Sequence, residues 1–255
     1  MSTKIEWVTN LDGSKGKTWN PITGCSKVSK GCKYCYAERM AKRLAGRHGY
    51  PKDEPFRVTL HRDRVNQPLA WKKPLMIFLC SMSDFFHNDV PDDYILQILN
   101  VMKKCRHHTF QVLTKRSERM LEISRKIKKW PDNVWLGVTV EAKEYKQRID
   151  HLRAVDAQIR FLSCEPLLDD LGQLNLKKID WVIAGGESGP GSRVMRRDWV
   201  INIRDQCIEK DVPYFFKQWG GINKKKAGRK LEGKEWNQMP KIDRPPDYDR
   251  LRLAI

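Results

Sequence analysis

Short apolar runs alternate along the chain with segments that have the spacing of amphipathic helices. The pattern predicts a first strand ending at residues 22–25, then strands at 75–80, 109–114, 134–140, 159–163, 181–185 and 213–217. It predicts helices at 36–46, 92–105, 117–129, 142–155 and 199–210, with Ile95, Leu96, Leu99 and Met102 on one face of the second. Continuous apolar strands separated by helices favour a parallel sheet covered on both faces. Six or more such units predict an α/β fold, a full or partial β/α barrel.

The chain length fits one large domain. Its 255 residues, 40% of them hydrophobic, suffice for a single α/β domain with a substantial core. We expect the barrel to span residues 1–219, with an insertion at about 47–74 that breaks the alternation. Residues 220–255 are expected to form a basic, partly ordered C-terminal extension.

The predicted strands end in polar residues. In β/α barrels the chemistry gathers at the C-terminal ends of the strands. A single polar strand end is typical of a helix N-cap, but a whole rim of them indicates an active site. The strand-end residues selected as candidates are Ser81, Ser83, Asp84, Lys115, Thr139, Glu141, Glu165, Glu187 and Ser188.

Three cysteines, Cys25, Cys32 and Cys35, lie in one polar loop. Three thiolates can hold three irons of a [4Fe–4S] cube and leave the fourth iron for a substrate or cofactor. A structural zinc site is the alternative, completed by His48 or His61. A disulfide framework is disfavoured, since seven cysteines is an odd number and the N-terminus lacks a secretory signal.

The charge indicates a polyanionic partner. The net charge is +18 and the isoelectric point is about 9.7. Residues 1–50 hold ten Lys/Arg against three Asp/Glu, and residues 221–255 hold ten against five. The alternative interpretation of this charge is a generic solvated surface. We expect nucleic acid as the partner, and DNA is favoured over RNA.

The cysteine loop, with Tyr34 before and Tyr36 after its third cysteine, resembles the cluster loop of the radical S-adenosylmethionine (SAM) superfamily. The spacing is six residues then two, where three then two is usual. The resemblance covers about residues 18–217 and implies a (β/α)6 partial barrel. It also implies a [4Fe–4S] cluster and SAM, which yield a 5′-deoxyadenosyl radical that abstracts hydrogen. An external electron donor such as flavodoxin or ferredoxin is implied as well.

The resemblance also implies roles for individual residues. Tyr34 would lie near the adenine, Ser81, Ser83 and Asp84 near the methionine amino group, and Lys115 near its carboxylate. Thr139 and Glu141 would hold the ribose. The Gly-Gly-Glu187 sequence follows the sixth strand rather than the second, so it is either a tight turn or a substrate contact. Glu165, Glu187, Ser188 and Arg193 are the substrate candidates.

Within the superfamily, the chain resembles a phage-associated three-cysteine family through its 4–7, 18–25 and 216–220 segments, and more loosely spore photoproduct lyase. We therefore expect hydrogen abstraction from a nucleic-acid base or lesion, with DNA photoproduct repair as the specific hypothesis. Base modification, a peptide or small-molecule substrate, and a non-catalytic cluster- or zinc-stabilised nucleic-acid binder are the alternatives.

Repair would require a hydrogen donor to the product radical. Cys80 and Cys164, at two strand ends, are the candidate donors, and a plain core role is the alternative for each. No segment reaches the roughly 18 apolar residues of a membrane span, so we expect a soluble cytoplasmic monomer without a membrane partner.

Overall fold

A seven-stranded parallel sheet, curled into a half-barrel, forms the centre of the computed structural model. The structure describes residues 2–127 and 129–241. The strands are Lys17–Trp19 (β1), Ile22–Thr23 (β2), Thr59–Leu60 (β3), Met76–Leu79 (β4), Thr109–Thr114 (β5), Val134–Thr139 (β6), Ile159–Cys164 (β7), Trp181–Gly185 (β8), Tyr214–Gln218 (β9), Lys230–Leu231 (β10) and Lys234–Glu235 (β11). The helices are Tyr36–Arg43 (α1), Asp92–Lys104 (α2), Ser117–Ile127 (α3), Gln147–Arg153 (α4), Arg197–Glu209 (α5) and Lys224–Ala227 (α6).

The order of the large sheet is β1-β4-β5-β6-β7-β8-β9, and every neighbouring pair is parallel. The predicted α/β class is therefore confirmed. The last strand, β9, lies at the edge beside β8 and does not pair with β1, so the sheet stays open. All seven strands run the same way, which brings their C-terminal ends to one rim.

Two apolar layers cover the sheet. On the convex side, strand residues pack against the helices, with Ile77, Phe110, Leu136 and Leu162 in one core cluster with Ile95 of α2. On the concave side, a second cluster fills the half-barrel with aromatic rings. Its members are Trp7, Val8, Met76, Trp135, Ile159, Phe161, Trp181, Ile183 and Phe215. The N-terminal segment thus supplies part of the concave core, which leaves the polar rim as the open end.

The first strand was wrongly placed. The sequence predicted that it ends at residues 22–25, but β1 ends at Trp19 and pairs with β4. Ile22 and Thr23 instead form an antiparallel pair with β3, inside the predicted insertion. The cysteine loop consequently follows β2, a strand of a separate two-stranded sheet, rather than the end of a strand of the large sheet.

The apolar face predicted for α2 was wrong in one residue. Ile95, Leu99 and Met102 are buried as predicted, but Leu96 is 44% exposed. The stripe that faces the sheet is completed by Tyr94, Ile98 and Val101 instead. Helical periodicity permits either stripe, and the direction of the sheet chooses between them.

The described part of the C-terminal extension packs on the main body. Leu231 is fully buried and Trp236 is 8% exposed, and both belong to the convex core. The Trp236 carbonyl accepts a hydrogen bond from the Phe216 N–H at 2.9 Å, which ties the segment to β9. The remainder of the predicted extension, 242–255, lies outside the described residues. Among the helices the structure describes, none is long and apolar enough to cross a membrane.

Candidate functional site

The cysteine loop begins after Gly24, a position that only glycine can occupy. Gly24 has φ of 82°, and a Cβ there would lie 2.0 Å from the Arg57 carbonyl oxygen. Its N–H donates to the Met82 carbonyl at 2.9 Å, and its own carbonyl accepts from Ser83 Oγ at 2.6 Å. The loop is therefore fixed to the C-terminal end of β4 immediately before Cys25.

The three loop cysteines line one cavity at the strand-end rim, with a volume of about 180 Å³. Five of the predicted cofactor residues line the same cavity. They are Ser81, Ser83, Asp84, Lys115 and Thr139. Phe78 and Leu113, which also pack on the concave core, contribute to its wall as well. The structure thus brings residues from four separate parts of the sequence to one place.

Asp84 organises the wall of this cavity. Its Oδ1 accepts hydrogen bonds from Thr114 Oγ1 at 2.6 Å and from the Phe86 N–H at 3.0 Å, and its Oδ2 accepts from the Lys115 N–H at 3.0 Å. The carboxylate is 7% exposed. Asp84 therefore joins the ends of β4 and β5 and places Lys115, whose Nζ lies 3.5 Å from Thr139 Oγ1 on β6.

A 3-10 turn, Lys30–Cys32, carries the second cysteine and is held from two sides. On the β6 side, the Lys30 N–H donates to Tyr145 Oη at 3.1 Å, and Lys30 Nζ pairs with Glu144 at 3.0 Å. On the β8 side, Arg193 Nη2 donates to the Lys30 carbonyl at 3.0 Å. These contacts fix the turn across the mouth of the half-barrel.

The surroundings of the Cys25 thiol shift its pKa in two opposite directions. Burial, followed by the nearby Asp84 carboxylate, raises its pKa to about 11, while Arg116 acts in the other direction. Arg116 Nη2 is 4.0 Å from its sulfur. The thiol is thus protonated at neutral pH, and binding of a metal would have to release that proton.

The donor set fits an iron–sulfur cluster in its chemistry. Three thiols from one loop line one cavity, and soft thiolates are the usual ligands of iron–sulfur clusters. The sulfurs do not converge on one point: Cys25 Sγ donates to the Ser26 carbonyl at 3.4 Å, and Cys32 Sγ lies 3.6 Å from Ser29 Oγ. Within residues 2–127 and 129–241, no group of three or more His, Cys, Asp or Glu side chains is arranged to hold a metal ion.

A larger groove of about 530 Å³ adjoins the cysteine cavity, since Cys25, Ser26 and Phe56 line both. Its walls carry cations that the sequence analysis did not select. These are Lys42, Arg57 and Arg116, beside His87 and the acidic Asp53, Glu54 and Asp89. Positions 87 and 116 follow predicted strands, and that location was the available signal. The groove has the volume typical of ligand sites, roughly 300–1,000 Å³.

Ser26 and His87 form a pair at the boundary between the two spaces. Ser26 Oγ is 2.8 Å from His87 Nε2 and accepts from Arg116 Nη2 at 2.8 Å. The Asp89 N–H donates to His87 Nδ1 at 3.1 Å, so Nε2 carries the proton and donates to Ser26. Burial, followed by the charge of Arg116, lowers the pKa of His87. Ser26 therefore receives hydrogen bonds and has no base to activate it.

Two of the predicted cofactor residues lie outside the cavity wall. Tyr34 packs beside Gly191, and Arg193 lies 5.5 Å over its ring. Glu141 is fully buried and pairs with Arg148 at 2.9 Å. Its Oε1 has no hydrogen-bond partner and lies against Gly31, where an added Cβ would come within 2.9 Å of it. Tyr34 is itself part of the cysteine loop, and Glu141 contacts that loop at Gly31.

The predicted substrate residues form internal pairs. Glu187 accepts from Arg193 at 2.7 and 2.8 Å, and the Ser188 carbonyl accepts from Arg39 Nη2 at 3.3 Å. Glu165 pairs with Lys217 of β9 at 2.7 Å, with both side chains mostly buried. The Glu187–Arg193 pair contacts the cysteine loop, because Arg193 also donates to the Lys30 carbonyl. The Glu165–Lys217 pair lies elsewhere, beside Gly185 and on the strands farthest from β1.

The two candidate hydrogen donors differ in position. Cys80 is 4% exposed and lines the cysteine cavity. Cys164 is fully buried in the convex core with the helices and does not line that cavity. Burial raises the pKa of both thiols, so both stay protonated. Of the two, only Cys80 is a residue of the cavity lining.

Comparison with known proteins places the chain in a family without assigning chemistry. A family model described as a protein of unknown function, DUF5131, matches residues 2–240. No curated protein matches the chain, and no solved structure matches it.

Proposed function

The chain belongs to the DUF5131 family, whose function is unknown, and we propose that it is a radical SAM enzyme that acts on a nucleic-acid base or lesion. Cys25, Cys32 and Cys35 would hold a [4Fe–4S] cluster, and SAM would bind beside it. When bound, these groups supply an electron and a 5′-deoxyadenosyl radical able to abstract hydrogen. DNA photoproduct repair is the specific reaction we put forward.

One observation carries this proposal: the three loop cysteines share a single cavity with polar residues from three strand ends. The cavity is lined by Asp84 after β4, Lys115 after β5 and Thr139 at the end of β6. A structural metal site needs only its ligands, whereas this wall adds a carboxylate, an ammonium and a hydroxyl on sheet elements. Such a wall is suited to hold a zwitterionic cofactor next to a metal group.

The residues of the wall have separable tasks under this proposal. Lys115, held through its backbone by Asp84, would offer its ammonium to a carboxylate. Ser81 and Thr139 would offer hydroxyls, and Phe78 and Leu113 would exclude water. Gly24 and the Arg193–Lys30 contact would keep the loop in place while ligands enter. The adjoining groove, with Arg57 and Arg116, would admit an anionic substrate.

A hydrogen donor is needed if the reaction is repair. Cys80 is part of the cavity lining, and its protonated thiol has a weak S–H bond that it would offer to a product radical. Cys164 faces the helices and is the poorer candidate. Modification of an intact base would need no such donor.

Anaerobic reconstitution with iron and sulfide, followed by addition of SAM and dithionite, tests the proposal. We expect about four irons per chain and release of 5′-deoxyadenosine. Each of C25A, C32A and C35A should abolish that release. C207A is the matched control, because Cys207 is a fully buried residue of α5 that does not line the cavity. Zinc in place of iron, or SAM cleavage by the triple alanine variant, would sink the proposal in favour of a metal-stabilised binding protein.

A further inference from the structure

We propose that the outer face of the cysteine loop binds a single strand of DNA. This surface, which we call the loop face, consists of Lys33, Tyr36, Arg39, Arg193, Val194 and Ile222. The inference deepens the proposed function and rests on its nucleic-acid substrate. It adds where the strand lies and which form of nucleic acid is bound.

Three segments that are distant in the sequence meet at the loop face. Arg39 of α1 donates to the Ser188 carbonyl at 3.3 Å. Gly189, next in the chain, donates its N–H to the Gly221 carbonyl at 3.1 Å. The Gly221 N–H returns a hydrogen bond to the Glu187 carbonyl at 2.8 Å. The cysteine-loop helix, the loop after β8 and the segment after β9 therefore form one continuous surface.

The loop after β8 is also attached to the cysteine loop itself. The Tyr34 ring lies beside Gly191, with Lys33 Nζ at 5.4 Å and the Arg193 guanidinium at 5.5 Å from its centroid. The two cations thus flank one aromatic ring at the edge of the loop. Tyr36 follows Cys35, a residue of the cavity wall, so the surface begins where the cavity ends.

The three most exposed large apolar side chains of the described chain belong to these three joined segments. Val194 is 85% exposed, Ile222 81% and Tyr36 61%, and the next in order, Ile208, is 56% exposed. Isolated exposed apolar residues are common, but three on one contiguous surface indicate a contact with another molecule. The exposed ring of Tyr36 is the kind of aromatic platform on which an unpaired base stacks, and Tyr34, two residues earlier, carries the flanking cations.

Basic residues outnumber acidic residues in the same three segments. Residues 27–43 contain six Lys/Arg and one acidic residue, Glu38. Its carboxylate is already paired with Lys27 and Lys42, each at 3.1 Å. Residues 221–230 contain five Lys/Arg and no acidic residue, whereas the three arginines of residues 188–197 each pair with an acid outside that range, Glu187, Asp198 or Glu232. A phosphodiester backbone is the complement of such a surface, because binding releases its counterions.

The apolar residues select the form of the nucleic acid. In a duplex the base faces are stacked and closed to Tyr36, so stacking requires an unpaired strand. Val194 and Ile222 offer a ribose 2′-hydroxyl no hydrogen bond, whereas aliphatic side chains do contact the C5 methyl of thymine. The loop face therefore matches a thymine-containing single strand of DNA better than RNA.

Fluorescence anisotropy with a labelled fifteen-residue oligothymidylate, on the full chain without SAM or reductant, tests the inference. The variant Y36S/V194S/I222S leaves the charge unchanged and should bind at least about tenfold more weakly, since stacking and apolar contacts are lost. The matched control L11S/L96S/I208S removes three exposed apolar residues elsewhere and should bind like the native chain. Thermal melting of both variants verifies that they are folded.

A second variant tests the electrostatic half. K33Q should weaken binding and reduce the slope of log K against log salt by about 0.7, the value for one phosphate contact on a single strand. Native affinity in the triple serine variant, tighter binding to the matching duplex, or tighter binding to oligouridylate would each overturn the inference. So would binding to anionic vesicles with none to the oligomer. SAM cleavage by the native protein without DNA, measured separately, reports only on the proposed chemistry.

Discussion

The guanidinium of Arg193 donates to the backbone carbonyl of Lys30, with 3.0 Å between Nη2 and the oxygen. This bond joins the loop after β8 to the turn that carries Cys32. Glu187 holds Arg193 from the other side through both carboxylate oxygens. The pair that sequence reasoning assigned to a substrate thus holds the cysteine loop.

Replacing Arg193 should therefore loosen the cysteine loop. R193Q removes a charge-assisted hydrogen bond, which contributes about 1.5–3 kcal/mol, and local opening should become roughly tenfold or more frequent. Hydrogen exchange of the peptide covering residues 28–36 measures it. R196Q is the matched control, since Arg196 is exposed and pairs only with neighbouring Asp198 among its described hydrogen bonds. Equal exchange in R193Q and R196Q would contradict this role.

The seven thiols should divide into two groups by reactivity. Cys25, Cys32 and Cys35 are partly exposed and should be alkylated by iodoacetamide in the native metal-free protein. The other four are buried and should react only after denaturation. Cys25, with its pKa at about 11, should react far more slowly at pH 8 than it does in the unfolded chain. Mass spectrometry of timed samples assigns each site, and early labelling of Cys164 or Cys207 would contradict the packing described.

The Gly24 position should tolerate no side chain. G24A combines a left-handed φ with a Cβ that would overlap the Arg57 carbonyl, so we expect a loss of several kcal/mol or failure to fold. G13A is the matched control: φ at Gly13 is 80°, but nothing lies within 4 Å of an added Cβ. It should cost only about 1 kcal/mol. Urea unfolding of the two variants separates the steric cost from the conformational one, and equal losses would contradict the tight contact.

Acidification should destabilise the fold through His108. Burial, followed by the neighbouring His107, lowers its pKa from the usual 6.5 to about 4. Between those values the unfolded chain binds a proton that the folded chain does not, so the free energy of unfolding falls as the pH decreases. Protonation of His108 in the unfolded chain lowers the free energy of unfolding by about 3 kcal/mol at pH 4. This effect is absent above pH 6.5, where His108 is neutral in both states.

H108Q removes this titration, and its pH dependence between 7 and 4.5 should be flatter than that of the native chain. Urea unfolding at several pH values measures the difference. H48N, which alters an exposed imidazole, should follow the native profile. Parallel profiles for H108Q and the native chain would contradict the assignment.

Strands with continuous apolar runs were predicted to within about two residues, because nothing but a buried strand accommodates such runs in short segments. β1 was misplaced since its three residues, Lys17 to Trp19, include two polar ones and carry no run. Leu96 of α2 was misassigned to the buried face because two apolar stripes fit the same helical period. The sequence indicated a basic, partly ordered extension from residue 220, and the structure packs Leu231 and Trp236 of that extension in the core.

By itself, the sequence determined the α/β class, the order of most strands and helices, and the loop in which three thiols lie, because these depend on local periodicity and spacing. Only the tertiary structure decided which strand ends share a wall with Cys25, and that Glu187 and Arg193 bind each other and the loop. It alone joined the three segments that carry Tyr36, Val194 and Ile222. Such proximities arise from the curl of the sheet and from side-chain direction, which bring together residues far apart in the sequence.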